Sequence, residues 1–525
     1  MKSKTPRAVV LVAFAVGSLF AGNVSALTVS LMTDTSPVSV VGELRHALQN
    51  TTSGGTVDFA PGLAGQVITL APTNGSLVVS QNLVIDGTNA PGVIIDGAAS
   101  ASVFTVNTPA TSVTFRRLTI RNGSATNGGG IYISTPCTVT VSESTIESNQ
   151  VTSRGGGIYS WMGGRLNVTG SLISNNTSGS QGGGIYTDSD AVLTNTTVTG
   201  NGNTTAPIGG GGGLFAAGNL TVTHCTFYNN AAGPAGNGTY IDGIFASLSF
   251  HLINTIIDSG RGNKDCYGLG VPALITNVNN LIADGTCSPL LAVPSQVAAL
   301  ADNGGPTQTH ALLPTSPCRD AGANASANDP GADGVPGGGD DTALSTDQRG
   351  AGFSRLVGGT VDIGAFELRI QPDNLIGRSP SPAAGLGNNL YNTSGAGQTL
   401  KLTSKQATTV RATLNVQNDC ALTDTFSVRG TKGNSLFNVG YFNSATNVTA
   451  AVTTGTYATP ALTRGQTSPL SIVVKPNPRK LKKRTRRDGR VVVTWLKRRI
   501  SLALTSTSQL DATRKDVAKV KVKHL

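Results

Sequence analysis

Cleaving a glycosidic bond by hydrolysis needs two carboxylates facing one sugar linkage, roughly 5–10 Å apart. In the glycine-rich part of this chain the acids are few, namely Glu143, Glu147, Asp188, Asp190, Asp242 and Asp258. They recur at no common offset, so no catalytic residue is assigned. Tyr159, Trp161 and Arg165 lie within seven positions of one another and could form a stacking platform for a sugar. The plainer reading makes Tyr159 part of a repeat and Trp161 a loop residue. In "NDPGADGVPGGGDD", Asp329, Asp333, Asp340 and Asp341 share a flexible loop. Hard oxygen ligands of this kind suit Ca2+, although the spacing is not that of an EF-hand. No other cofactor is implied.

The strongest charge feature is "KPNPRKLKKRTRRDGRVVVTWLKRR". It holds twelve of the 39 Lys and Arg residues and one of the 28 acids, so it carries the whole net charge of +11. Lys480, Lys482, Lys483, Arg484, Arg486, Arg487 and Arg490 crowd around an Asp488-Gly489 pair, a hairpin-turn signal. Such a ribbon suits polyanions through long-range attraction. Trp495 is its one aromatic residue, which is too little for the stacking surface that single-stranded nucleic acid requires.

The elements that must position these residues repeat. "GGGIY" occurs at 128–132, 155–159 and 182–186, and "GGGLF" at 211–215. An apolar pair five residues apart recurs as Phe115/Ile120, Val141/Ile146, Val168/Ile173, Leu193/Val198, Val222/Phe227 and Leu252/Ile257, at intervals of 25 to 30 residues. Apolar residues two apart mark strands. A 25–30-residue unit of short strands is a solenoid period, and with so much Gly, Thr, Asn and Val it predicts a parallel β-helix. Gly130, Gly157, Gly184 and Gly213 then sit at corners, and Ile131, Ile158, Ile185 and Leu214 begin inward-facing strands. Asn149, Asn176, Asn201 and Asn230 recur at another corner, where stacked amides can bond along the stack and asparagine tolerates a left-handed backbone. Asn122 breaks this spacing, and the regular helix is expected to begin there. A phosphate-binding loop is excluded, because its glycines would come once, between a strand and a helix. Val41, Leu44 and Leu48, at helical spacing, predict a short helix closing the N-terminal end.

These words resemble the repeats of bacterial polymorphic outer-membrane proteins, and the wider pattern resembles right-handed parallel β-helix proteins of the pectin-lyase-like class. "GELRHALQN" is similar to the "SLREA" element that opens many such exported chains. "DNGGPTQTHALLPTSPCRDAG", "TDQRG" and "VDIGAFE" resemble the module that ends them. The resemblance spans residues 27–367 and implies an exported surface protein, in a fold class that also contains polysaccharide lyases and hydrolases. Cys318 and Arg319 replace an apolar pair, and the terminal β-barrel of some relatives has no counterpart.

Lys2, Lys4 and Arg7 precede the apolar run Ala8–Ala21, and Val24-Ser25-Ala26 offers a small-residue cleavage site, which is the layout of a signal peptide over residues 1–26. No later run is long enough for a membrane span. In an exported chain disulfides are permitted, and Cys266 with Cys287 is the expected pair. The predicted organisation is an all-β chain with a β-helix over 27–370, a linker over 371–390 and an immunoglobulin-like β-sandwich over 391–525 that carries a basic insertion at 475–499. The expected location is the cell surface or the extracellular medium. The expected role is structural or adhesive, and the alternative is a polysaccharide lyase or glycoside hydrolase. Candidate partners are a polysaccharide, an anionic envelope component, or a host or neighbouring cell surface.

Overall fold

The structure is a computed structural model that describes residues 24–35, 39–107, 112–205, 210–233, 241–268, 274–357, 359–379, 385–388, 390–405, 408–420, 422–477, 481–495 and 498–524. Most of the expected signal peptide lies outside these residues.

Four sheets wind round one apolar core. A ten-stranded sheet stacks Val24–Val29, Thr51–Phe59, Leu83–Asp86, Ser112–Arg116 and their successors up to Leu274–Val278. A nine-stranded sheet runs from Val67–Thr69 to Leu281–Ile282, an eight-stranded sheet from Leu77–Val79 to Lys264–Gly268, and a narrow five-stranded sheet lines one corner. Every pairing in these sheets is parallel, and equivalent residues stack: Val141 pairs with Phe115 and Val168, and Ile146 with Ile120 and Ile173. These inward side chains are fully buried. Register is therefore tied to the core, because a one-residue slip would turn the whole apolar set outward.

The helix starts earlier than the glycine words imply. Coils built on Val57, Ile68 and Leu77, and on Ile85, Ile95 and Phe104, precede Phe115 and belong to the same core. The Asn122 irregularity is a matter of alignment: Asn122 (φ 55°) stacks with Ser148 (φ 55°), Asn175 (φ 54°) and Asn229 (φ 51°), one position before the ladder. Gly123 holds the ladder position and donates its N–H to Asn149. The left-handed residue at this corner is thus the one before each ladder asparagine, not the ladder asparagine itself.

The N-terminal helix spans Leu44–Asn50 and buries Leu44, Ala47 and Leu48. Val41 does not join it. It lies in the preceding turn and is 74% exposed, because the helix begins only after Glu43, whose carboxylate accepts the Val40 N–H.

The first terminal word meets the last coil, where Asn279 Nδ2 donates to Ala321 O and Cys318 packs with Leu281. The later words fold back along the outer face of the nine-stranded sheet, where Gln348 donates to Ser171 O and accepts from Thr197 Oγ1, and the Ala365 N–H reaches Thr226 Oγ1.

The expected linker is folded at its start. Pro372–Arg378 pairs along the whole length of Val410–Asn418 as a strand of the second domain. That domain packs two five-stranded sheets on a shared core. One sheet is antiparallel throughout, and the other contains one parallel pair, Thr399–Ser404 with Lys515–His524. One segment of this domain is helical, Thr449–Thr454. The Asn447 side chain accepts the Thr449 N–H at its start, and Gly455 ends it at φ 85°.

Candidate functional site

One corner shows what the triple glycines do. In "GGGIY" at 155–159, Gly155 has φ +65°, which a side chain rarely adopts. A Cβ on Gly156 would overlap the carbonyl of Gly183 on the next coil, and one on Gly157 would lie 2.8 Å from Gly184 O. The same packing places the ladder amides. Asn176 Nδ2 donates to Ile146 O and to Asn201 Oδ1, and Asn176 Oδ1 accepts the Asn149 N–H. These positions build the solenoid.

The fifth letter of the word makes a ladder that spacing alone did not reveal. Tyr159, Tyr186, Phe215 and Phe245 stack at centroid separations of 5.2, 5.1 and 4.6 Å, with Tyr132 and Tyr267 at the ends. Each ring covers the next, so Tyr159 is only 2% exposed, and burial followed by the Asp188 charge pushes its phenol up to about 12. The expected platform of Tyr159, Trp161 and Arg165 is therefore not an open surface. Trp161 alone is exposed, 6.2 Å from the Tyr159 ring. Arg165 turns away, and its Nη1 donates to Ala332 O at 2.6 Å.

That carbonyl belongs to the acidic loop, which Thr221 also holds through Gly334 O. Asp333, Asp340 and Asp341 each bring a carboxylate oxygen within 4.8 Å of the others and could hold a hard cation. Asp329 is not in that group, and its carboxylate accepts the Gly331 N–H. Backbone N–H groups of Asp333 and Ala332 keep the Asp340 carboxyl below its ordinary range, and Val335 and Gly337 donate to Asp333 and Asp341.

The basic run forms an antiparallel ribbon, Leu481–Thr485 with Val491–Trp495, that makes a separate sheet. Arg486, Arg487 and Arg490 are exposed at its turn, where Asp488 accepts the Arg490 N–H. Lys480 lies outside the described residues, as do the side chains of Lys482, Lys483 and Arg484.

Five of the six coil acids named from the sequence are engaged among the described residues, Glu147 being the exception. Glu143 pairs with Arg117, Asp188 accepts the Tyr186 hydroxyl, Asp190 accepts from Asn219, and Asp258 accepts from Ser295. Asp242 is fully buried and accepts from Ala232 N and Asn263. An unanticipated acid is Asp265, in a pocket of about 310 Å3 with Asp258, Asp284, Arg261 and Lys264. Burial first, then the Asp284 charge, push its carboxyl up to about 7. Yet Asp265 is 2% exposed, and its two oxygens accept backbone N–H groups from Ser259 and Asp284. Cys266 beside it is joined to Cys287 by a disulfide, with Cα atoms 5.8 Å apart.

The terminal words carry a second set of buried charges. Asp347 grips Arg349, and Glu367 lies 3.4 Å from Arg355. Burial raises the Glu367 and Asp362 carboxyls. Most of their other partners are backbone groups of the module, such as Glu367 O for Arg349 and Leu368 N–H for Asp362, and Arg355 also donates to Asn195 Oδ1 of the coils, so this network fastens the module to itself and to the solenoid.

No curated protein matches the chain. Residues 68–251 match the family model for a right handed beta helix region, and together with the parallel, in-register coils this makes the solenoid a right-handed parallel β-helix.

Proposed function

We propose that the protein is an exported structural and adhesive rod of the pectin-lyase-like fold, placed at the cell surface or in the extracellular medium, that binds glycans or envelope polyanions without cleaving them. The observation that carries this reading is the basic ribbon. It is a two-stranded sheet apart from both sandwich sheets, with Arg486, Arg487 and Arg490 exposed at its turn. The remainder of the chain is balanced at 27 basic and 27 acidic residues, so the ribbon is where an anionic polymer would be attracted. The stacked coils give it a stiff carrier, because each coil is bonded to its neighbours along every sheet.

The test is retention of the full chain on an immobilised acidic polysaccharide across a salt gradient. Binding should weaken steeply with salt, since the Debye length shrinks from about 10 Å at 0.1 M to about 3 Å at 1 M. It should also collapse when Lys480, Lys482, Lys483, Arg484, Arg486 and Arg487 are changed to glutamine. Unchanged retention after that substitution would remove the reading.

One observation favours a lyase or hydrolase instead: Asp265, with a raised pKa, shares a pocket with two acids and two bases, as acid–base catalysis requires. Depolymerisation of an acidic polysaccharide that is lost in Asp265→Asn would establish it.

A further inference from the structure

A second basic feature is hidden in the sequence because its residues are far apart. A pocket of about 280 Å3 lies between the terminal module and the sandwich, lined among others by Arg349, Phe353, Arg369, Gln417, Asp419 and Arg464. Its three guanidiniums are not equivalent. Arg349 is spent, since it grips both oxygens of Asp347, donates to Glu367 O and is stacked 4.1 and 3.8 Å from Phe353 and Phe366. Arg464 sits 4.4 Å over the same Phe353 ring and donates to a neutral oxygen, Asn303 O. Arg369 lies 5.0 Å over Tyr391 and donates to its hydroxyl. The ion pairs among the described residues include neither Arg369 nor Arg464.

The Asp419 charge reaches Arg464, but the acids that line the pocket make no close ion pair with either cation. Both oxygens of Asp419 are occupied, one by the Tyr391 hydroxyl at 2.6 Å and one by Gln417 at 2.9 Å. Glu367 is buried and accepts N–H groups from Val357 and Asp362, and burial favours its neutral form. Burial, and then the charge of Arg349, lower the Arg464 pKa. Two guanidiniums laid on aromatic rings are pre-ordered donors for a planar oxyanion.

We propose that this pocket binds an acidic sugar unit, its carboxylate held between Arg369 and Arg464 and its ring against Val357. The cavity is several times larger than an inorganic anion needs and suits one sugar ring, and Ser354 and Gln417 at its wall can meet hydroxyl groups. The proposal narrows the polyanion reading above and rests on it for the ligand class, but it stands on different residues from the ribbon. Because both domains contribute to the pocket, a bound ligand would also brace the joint between them.

The experiment is calorimetric titration of the full chain with sodium glucuronate, glucose and inorganic phosphate in parallel. Glucuronate should bind, and glucose should bind at least about tenfold more weakly. Arg369→Gln and Arg464→Gln should each weaken glucuronate about tenfold or more. Arg464→Lys keeps the charge and should retain more affinity than the glutamine variant, which separates recognition from loss of the Asn303 contact. Neutralising the ribbon should leave glucuronate binding unchanged, so failure here and failure of ribbon binding are told apart. Phosphate binding as tight as glucuronate would overturn the sugar assignment. Absence of glucuronate binding, indifference to both arginine substitutions, or loss on ribbon neutralisation would overturn the site.

Discussion

The asparagine ladder offers a quantitative test of how the solenoid is held. Asn176 is fully buried. Its side chain makes four hydrogen bonds: Nδ2 to Ile146 O at 2.9 Å and to Asn201 Oδ1 at 3.0 Å, and Oδ1 from Asn149 N at 3.0 Å and Asn149 Nδ2 at 2.9 Å. In Asn176→Ala, the amide of Asn149 loses the Oδ1 acceptor on the neighbouring coil. An orphaned buried donor costs about 1–3 kcal/mol, and each lost bond that water cannot replace adds to it, so the expected loss is about 3–5 kcal/mol. Asn176→Asp should be worse, because it sets a carboxylate oxygen against Ile146 O and Asn201 Oδ1 in a buried place. The control is Asn219→Ala, at an exposed corner where Asn219 bonds to Asp190, which should stay within about 0.5 kcal/mol. Guanidinium unfolding, with hydrogen exchange read separately on peptides from 138–178 and 467–508, assigns the change to the solenoid. If Asn176→Ala shifts the midpoint no more than Asn219→Ala, or if the aspartate is tolerated as well as the alanine, the ladder does not hold the coils together.

Gly156→Ala should lower the thermal midpoint sharply or prevent soluble folding, because the new Cβ meets backbone of Gly183 and Thr177. Gly339→Ala, with nothing within 4 Å, should be silent. Asp265 should make stability fall as pH rises. Its folded pKa of about 7 lies above the ordinary aspartate value of 3.8, so between these values the folded chain keeps a proton that the unfolded chain has released, and above about 7 the full penalty is present. At 1.36 kcal/mol per unit this amounts to about 4 kcal/mol. Asp265→Asn should flatten that slope in chemical unfolding from pH 4 to 8, and an unchanged slope would show that the group titrates normally.

The regular coils were legible because their signal is local. A strand alternates with period two, a corner needs glycine, and equivalent residues return every 25 to 30 positions, so core face and register follow from spacing. The earlier coils were missed because the segment from Thr51 to Val106 packs the same sheets without a glycine word. The helix at Thr449–Thr454 is not legible locally, because Val448 and Val452 suggest a strand, whereas Ala450 and Ala451 favour a helical turn. The platform of Tyr159, Trp161 and Arg165 failed because neighbours in sequence diverge at a corner, one ring entering a buried stack and the guanidinium turning to a loop more than 160 residues away.

The sequence by itself determined the solenoid, its register, the glycine corners and the basic ribbon, since each depends on residues close together or on a fixed period. Only the tertiary structure decided which outer faces are covered and which charges are spent. Alternation tells which side chain points inward, but it says nothing of what lies against the outward ones. Gln348 on Ser171 and Thr197, and Arg464 beside Arg349 and Phe353, join positions that no local pattern connects. The pocket of paired guanidiniums is a product of that packing, because burial among aromatic rings, with the nearby carboxylates bonded elsewhere, is what leaves two of its cations without a close ion-pair partner.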